Sequence, residues 1–123
     1  MLWDVFPDAE HFGGAPANVA VHAAGLGAEA MMISAVARLA DHPTGVVRVT
    51  VDSGGVPSYD IAAGSAWDVV PWSVEVERAA QRADAICFGT LAQRSPMSRA
   101  TIRRAIAATR ETAWRVFDVN RRQ

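Results

Sequence analysis

The run Glu10-His11-Phe12-Gly13-Gly14-Ala15-Pro16-Ala17-Asn18-Val19-Ala20 holds the residues best suited to binding a small polar ligand. Gly13 and Gly14 lead straight into Ala15-Pro16, and Pro16 suits the first position of a helix, where its missing N–H costs nothing. Backbone N–H groups at such an entry are exposed, and glycine puts no side chain in a ligand's way. Asn18, one turn in, carries both a donor and an acceptor. A polyhydroxylated ligand needs both kinds of partner. The same spacing also fits an ordinary turn before a helix, so these residues alone leave two readings open.

Asp4 adds a carboxylate upstream. It lies in residues 2–6 (Leu-Trp-Asp-Val-Phe), a short apolar stretch that reads as the last part of a buried strand, ended by Pro7-Asp8. A carboxylate where strand gives way to loop is either a turn residue or an acceptor for ligand hydroxyls, and by itself the turn reading is the stronger.

The elements that must position these residues follow in order. Ala17, Ala20, Val21 and Ala24 recur at helical spacing, predicting a helix over 16–26 with one small-residue packing face. Gly25-Leu26-Gly27-Ala28-Glu29-Ala30 fits the loose dinucleotide pattern, but that fingerprint must follow a strand and open a helix. Here it follows a helix, so Gly25 or Gly27 reads as the helix C-cap. Residues 31–36 read as a buried strand, and 37–43 as a brief polar bridge. Residues 45–51 alternate, with Val47, Val49 and Val51 on one face. Asp52-Ser53-Gly54-Gly55 is a strong turn signal, and 56–61 returns with Tyr59 and Ile61. This predicts a half-exposed antiparallel hairpin, suited to a lid or to an oligomer contact.

Residues 62–72 are irregular. Ser73 caps a predicted helix over 74–83, with Glu75 and Glu77 near its start and Arg78 and Arg82 near its end, as the helix dipole favours. Residues 85–88 read as a buried strand, and Gly89-Thr90-Leu91-Ala92-Gln93 leaves its C-terminal end. Ligands of open parallel sheets sit outside such ends. Ser95-Pro96 opens a helix over 96–109, with Met97, Ile102, Ala105 and Ile106 inward and Arg99, Arg103, Arg104 and Arg110 outward. Residues 114–119 form the next buried strand. Strands alternating with helices give an α/β class with a mainly parallel sheet.

Composition narrows the function classes. The 123 residues are 50% hydrophobic and 20% charged, with a formal net charge of −1. That length is one domain's worth, and the charge gives no field to attract nucleic acid or a membrane surface. Arginine is concentrated from Arg94 to Arg122, and lysine is missing from the sequence. Such a third can meet phosphates, although an exposed helix face accounts for most of it. Cys87, the one cysteine, lies in an apolar run and reads as a small buried hydrophobe. No apolar stretch has membrane-spanning length, and no secretory leader is evident, so a cytoplasmic location is expected.

The succession LWDVFP, FGGAPANVAVHAAGLGA, a strand ending in SAV, HPTGVVRVTVDSGGVPSY, CFGTLAQRS and FDVNRRQ resembles the ribokinase-like (PfkB-type) carbohydrate kinases, nearest the bacterial fructokinases. The similarity runs over nearly the whole chain as one partial sugar-kinase domain. It implies a three-layer αβα fold with the hairpin at about 45–61 as a lid over the sugar. It also implies ATP- and Mg²⁺-dependent phosphoryl transfer to a sugar hydroxyl, with fructose or a related ketose as substrate. By motif, Asp4, Gly13, Gly14 and Asn18 look like sugar contacts, and Gln93 looks like a further, more loosely aligned one. Asn120 and Arg122 fit the family's Asp-x-Asn-x-Arg element, near the transferred phosphate and its Mg²⁺.

Members of that family are more than twice this long. Met1 falls inside their first strand, and a unit of roughly 30 residues between Val36 and Asp41 is reduced to Ala37-Arg38-Leu39-Ala40. Arg121 stands where the family has an apolar residue or proline. Their Gly-Ala-Gly-Asp segment, with the catalytic base and nucleotide site, would come beyond Gln123. The resemblance therefore implies a sugar-kinase piece that is inactive and binds no ATP by itself, with no metal ligands of its own. A non-catalytic sugar-binding module, or a piece that pairs with a kinase subunit through its hairpin, is the alternative.

Overall fold

A computed structural model describes residues 2–35 and 42–119. They form two compact units, Met1–Trp67 and Asp68–Gln123. The class is α/β, with three α-helices among the described residues.

The first unit is built on strand β1, Leu2–Val5. It turns back antiparallel to β2, Glu10–Gly13, through a loop closed by the Phe6 N–H donating to the Ala9 carbonyl at 2.8 Å. On its other side β1 runs parallel to β3, Gly45–Val51, which forms the antiparallel hairpin with β4, Pro57–Ile61. The sheet order is β2-β1-β3-β4. The hairpin continues the sheet that carries Asp4. Asp52 Oδ1 accepts from the Gly54 and Val56 N–H groups at 2.8 and 2.9 Å, fixing the tip. Val47 and Val49 are 2% and 3% exposed, but Val51, on the same face, is exposed near the tip. Strand β2 is missed by sequence reasoning because its four residues end in the glycines of the helix entry. Its cross-strand pair, Trp3 with Phe12 edge-on at 5.7 Å, is the signal that marks it.

Helix α1 spans Ala15–Gly25, so Pro16 is its second residue and not its first. Gly27 ends it at φ +90°, its N–H donating to Ala24 and that of Ala28 to Ala23. Ala17 is buried and Ala20 half-buried, but Val21 and Ala24 are exposed, so the predicted packing face covers only the first turns. The strand expected over 31–36 is corrected too. Residues 31–35 carry no strand and Met31 is 73% exposed, because an apolar run makes a strand only against a partner edge. Val36 and the bridge to Asp41 lie outside the described residues.

In the second unit helix α2, Val74–Arg82, is followed by β5, Ala85–Gly89, then α3, Pro96–Ala108, and β6, Trp114–Asp118. Strands β5 and β6 are parallel and start level, Ala85 opposite Trp114. The core face of α3 is Ser98, Thr101 and Ala105, with Ile102 and Ile106 half-buried, whereas Met97 is exposed. Polar residues are tolerated inside because Ser98 Oγ accepts from the Val70 N–H at 3.0 Å and Thr101 Oγ1 donates to the Val70 carbonyl at 2.8 Å. The strands are not buried on both faces as expected: Trp114 is 76% exposed, and Cys87 is exposed. Among the described residues β5 and β6 form a two-stranded sheet, which buries less than a wider one. What burial Cys87 retains, helped by the nearby Asp118 carboxylate, pushes its thiol above the usual range.

Ser73 caps α2 by accepting from the Val76 N–H at 3.3 Å. Its hydroxyl also holds the Glu75 carboxyl below its ordinary value, with the Glu75 N–H and Arg78 adding to the effect. A lowered carboxyl stabilises the fold above its unfolded pKa, and the effect is lost as pH falls through the folded value. Ser73→Ala is expected to cost about 1 kcal/mol of stability at neutral pH. It should also return Glu75 toward the ordinary carboxylate value. Urea melts and an NMR pH titration of Glu75 check both.

Candidate functional site

Strand alternation places Leu2, Asp4, His11 and Gly13 on one face of β1 and β2, with Asp4 opposite His11 and Leu2 opposite Gly13. Asp4 is half-buried and leans diagonally over Gly13. A β-carbon built on Gly13 would stand 2.5 Å from Asp4 Oδ2, so the carboxylate occupies the space a side chain would need. Gly14 follows as the N-cap of α1 at φ +105°, ψ 140°, a conformation other residues rarely adopt. A β-carbon there would come 3.3 Å from Leu2 Cβ. The Asn18 N–H closes the first turn on the Gly14 carbonyl at 3.1 Å, and its side chain is exposed. The edge strand β2 thus brings the acceptor-only Asp4 carboxylate over buried Gly13, with half-buried Gly14 at the helix start and the exposed Asn18 amide one turn further on.

That set matches a neutral, hydroxyl-bearing ligand. A carboxylate accepts from hydroxyls, an amide does both, and helix-start N–H groups donate.

The other predicted contacts belong to the second unit or fall outside the described residues. Gln93 ends a 3₁₀ turn, Leu91–Gln93, in the second unit, and its Nε2 donates to the Gly89 carbonyl at 3.0 Å. Asn120 and Arg122 lie outside the described residues. Among the described residues no group of three His, Cys, Asp or Glu side chains could hold a metal ion. No helix among them is long and apolar enough to cross a membrane.

Of the arginines expected on an outward face of α3, Arg99, Arg104 and Arg110 have specific partners, as does Arg94 just before the helix. Arg94 forms a two-pronged pair with buried Asp68, both bonds at 2.8 Å. The Arg99 side chain donates to the Gln93 and Arg94 carbonyls, Arg104 lies 4.4 Å over the Trp72 ring, and Arg110 pairs with Asp84. Sequence reasoning missed the Asp68–Arg94 pair, since nothing in the spacing links residues so far apart.

A glycine-entered helix and a mixed sheet, followed in sequence by a parallel strand–helix–strand unit, form an α/β arrangement that is similar to solved structures. The chain is similar over 98% of its length to an uncharacterised sugar kinase, PH1459, of Pyrococcus horikoshii, at a TM-score of 0.84 and 24% identity. In complex with ATP the same protein gives 0.82 and 23%. Fructokinase from Vibrio cholerae O395 in its apo form gives 0.78 and 23%, again over 98% of this chain. Each match takes in 51% of the solved chain, so this chain spans about half the length of the structures it resembles. No family model and no curated protein matches the sequence.

Gly14 gives the first test of the site's backbone. Gly14→Ala is expected to lower stability by about 1–3 kcal/mol through strain at positive φ, read from the shift in the urea midpoint.

Proposed function

We propose that this chain is the sugar-binding half of a cytoplasmic fructokinase-type sugar kinase, recognising fructose or a related ketose through Asp4, Gly13, Gly14 and Asn18. One observation carries the reading: the Asp4 carboxylate sits against the side-chain-free backbone of Gly13, next to Gly14, the N-cap of α1. A sugar laid on those glycines meets an acceptor, a row of donors and the Asn18 amide together. The fold likeness to sugar kinases supports the class of ligand. Gln93 is a further, more loosely aligned candidate, its Nε2 donating to the Gly89 carbonyl.

ATP and Mg²⁺ belong to the proposed reaction of the whole kinase, and one neighbour was solved with ATP. ATP supplies the phosphoryl group there. In this chain Asn120 and Arg122 would lie near that group, where an arginine offsets charge spread over phosphoryl oxygens. The base and the nucleotide pocket would come from the part of a sugar kinase that these 123 residues do not span. Self-association would use the β3–β4 hairpin, at one end of the sheet order.

Two outcomes are expected. Calorimetry with fructose should register binding, and Asn18→Ala should weaken it by about 1–3 kcal/mol by leaving hydroxyls unpaired. Equal heats for the two proteins would remove Asn18 from the site. In a coupled assay, the 123-residue polypeptide should show no sugar-dependent ADP release, since a positioned base alone is worth about 10²–10⁴-fold. Turnover at ordinary kinase rates would overturn that part of the reading.

A further inference from the structure

We infer that His11 is a further, specificity-determining contact of the proposed sugar site, an inference that rests on that reading of Asp4 and Gly13. Strand β2 places His11 two residues before Gly13, on the same face of the sheet. The register sets it directly opposite Asp4. Cross-strand partners have Cβ atoms about 5 Å apart, so a ring lying against Gly13 and Asp4 extends toward the imidazole. His11 is exposed, and its ring meets Phe6 edge-on at 5.7 Å, which limits the orientations it can take.

The chemistry of the two side chains is complementary. Asp4 only accepts hydrogen bonds, whereas a neutral imidazole donates from one nitrogen and accepts at the other. Neighbouring hydroxyls held by such a pair are fixed in their relative orientation on the ring. A sugar with one of them inverted keeps Asp4 and loses His11, so His11 would discriminate among epimers without setting affinity alone. Valine or leucine at this position would leave that hydroxyl unpaired.

The test is calorimetry on the full 123-residue chain with fructose, tagatose and psicose as probes, using the parent, His11→Ala, His11→Gln and Asp4→Asn proteins, each checked by thermal melting. The expected result is a roughly five- to tenfold loss of affinity for the preferred ketose in His11→Ala. The spread among epimers should narrow, and His11→Gln, which keeps a donor and an acceptor, should restore part of it. A role limited to packing on Phe6 would shift the melting temperature and leave the epimer ratios unchanged, overturning the inference. Binding that Asp4→Asn abolishes and His11→Ala leaves intact would overturn it while sparing the site. A parent protein that binds none of the three ketoses would overturn both.

Discussion

Missing β-carbons hold the first unit in its arrangement. Leu2 lies in register between Gly13 on β2 and Gly45 on β3. Its side chain comes within 3.3 Å of where a β-carbon would sit on Gly14, and equally close to that position on Gly45. Trp67 also packs on Gly45, its Cδ1 2.6 Å from the same position. Asp4 uses the corresponding space over Gly13. Strand β1 can therefore be central, with a strand on each side, only because its neighbours carry glycine at those points. The same absence lets the Asp4 carboxylate approach the backbone at the entry to α1. Packing and the placing of that carboxylate share one cause.

The second unit solves its packing differently. Asp68 is buried and would be costly to hold there as a lone charge, but Arg94 meets it with two parallel bonds. Ser98 and Thr101 occupy the core face of α3 and satisfy both backbone groups of Val70. Polar matching at fixed positions thus docks the segment before α2 onto α3. Such contacts demand geometry, and they favour one placement of that segment over others that bury similar apolar area.

Much of this was legible in the sequence, for identifiable reasons. The hairpin was carried by period-two valines and Asp52-Ser53-Gly54-Gly55, and α2 by the Ser73 cap, all short-range signals. The start of α1 was legible because glycines and a proline constrain the backbone locally. Burial was not legible. Residues 31–35 and 114–118 have the composition of inner strands, yet composition states what a segment would bury and not whether a partner is there to cover it. Strand β2 was hidden because pairing with β1, not intrinsic propensity, makes Glu10–Gly13 extended. The side of the site built from Asp4 and Gly13 needed that pairing, and so did the place of His11 beside them.

The arginines carry the last step. A chain rich in guanidinium groups invites a phosphate reading, but a guanidinium is useful to a phosphate only while its donors are uncommitted. Arg94 has given two to Asp68, Arg99 reaches two carbonyls, and Arg115 reaches the Thr109 and Arg110 carbonyls. Arg104 lies on Trp72 and Arg110 is drawn to Asp84. These side chains fasten helices, loops and strand ends to one another, so their number says little about anion binding. The groups gathered at the start of α1 are a carboxylate, an amide and backbone N–H groups. A phosphate would be repelled by Asp4, whereas a neutral hydroxyl is welcomed by it. The chemistry of the first unit thus favours an uncharged, hydroxyl-bearing ligand over an anion, and the arginines of the second unit do not argue against that.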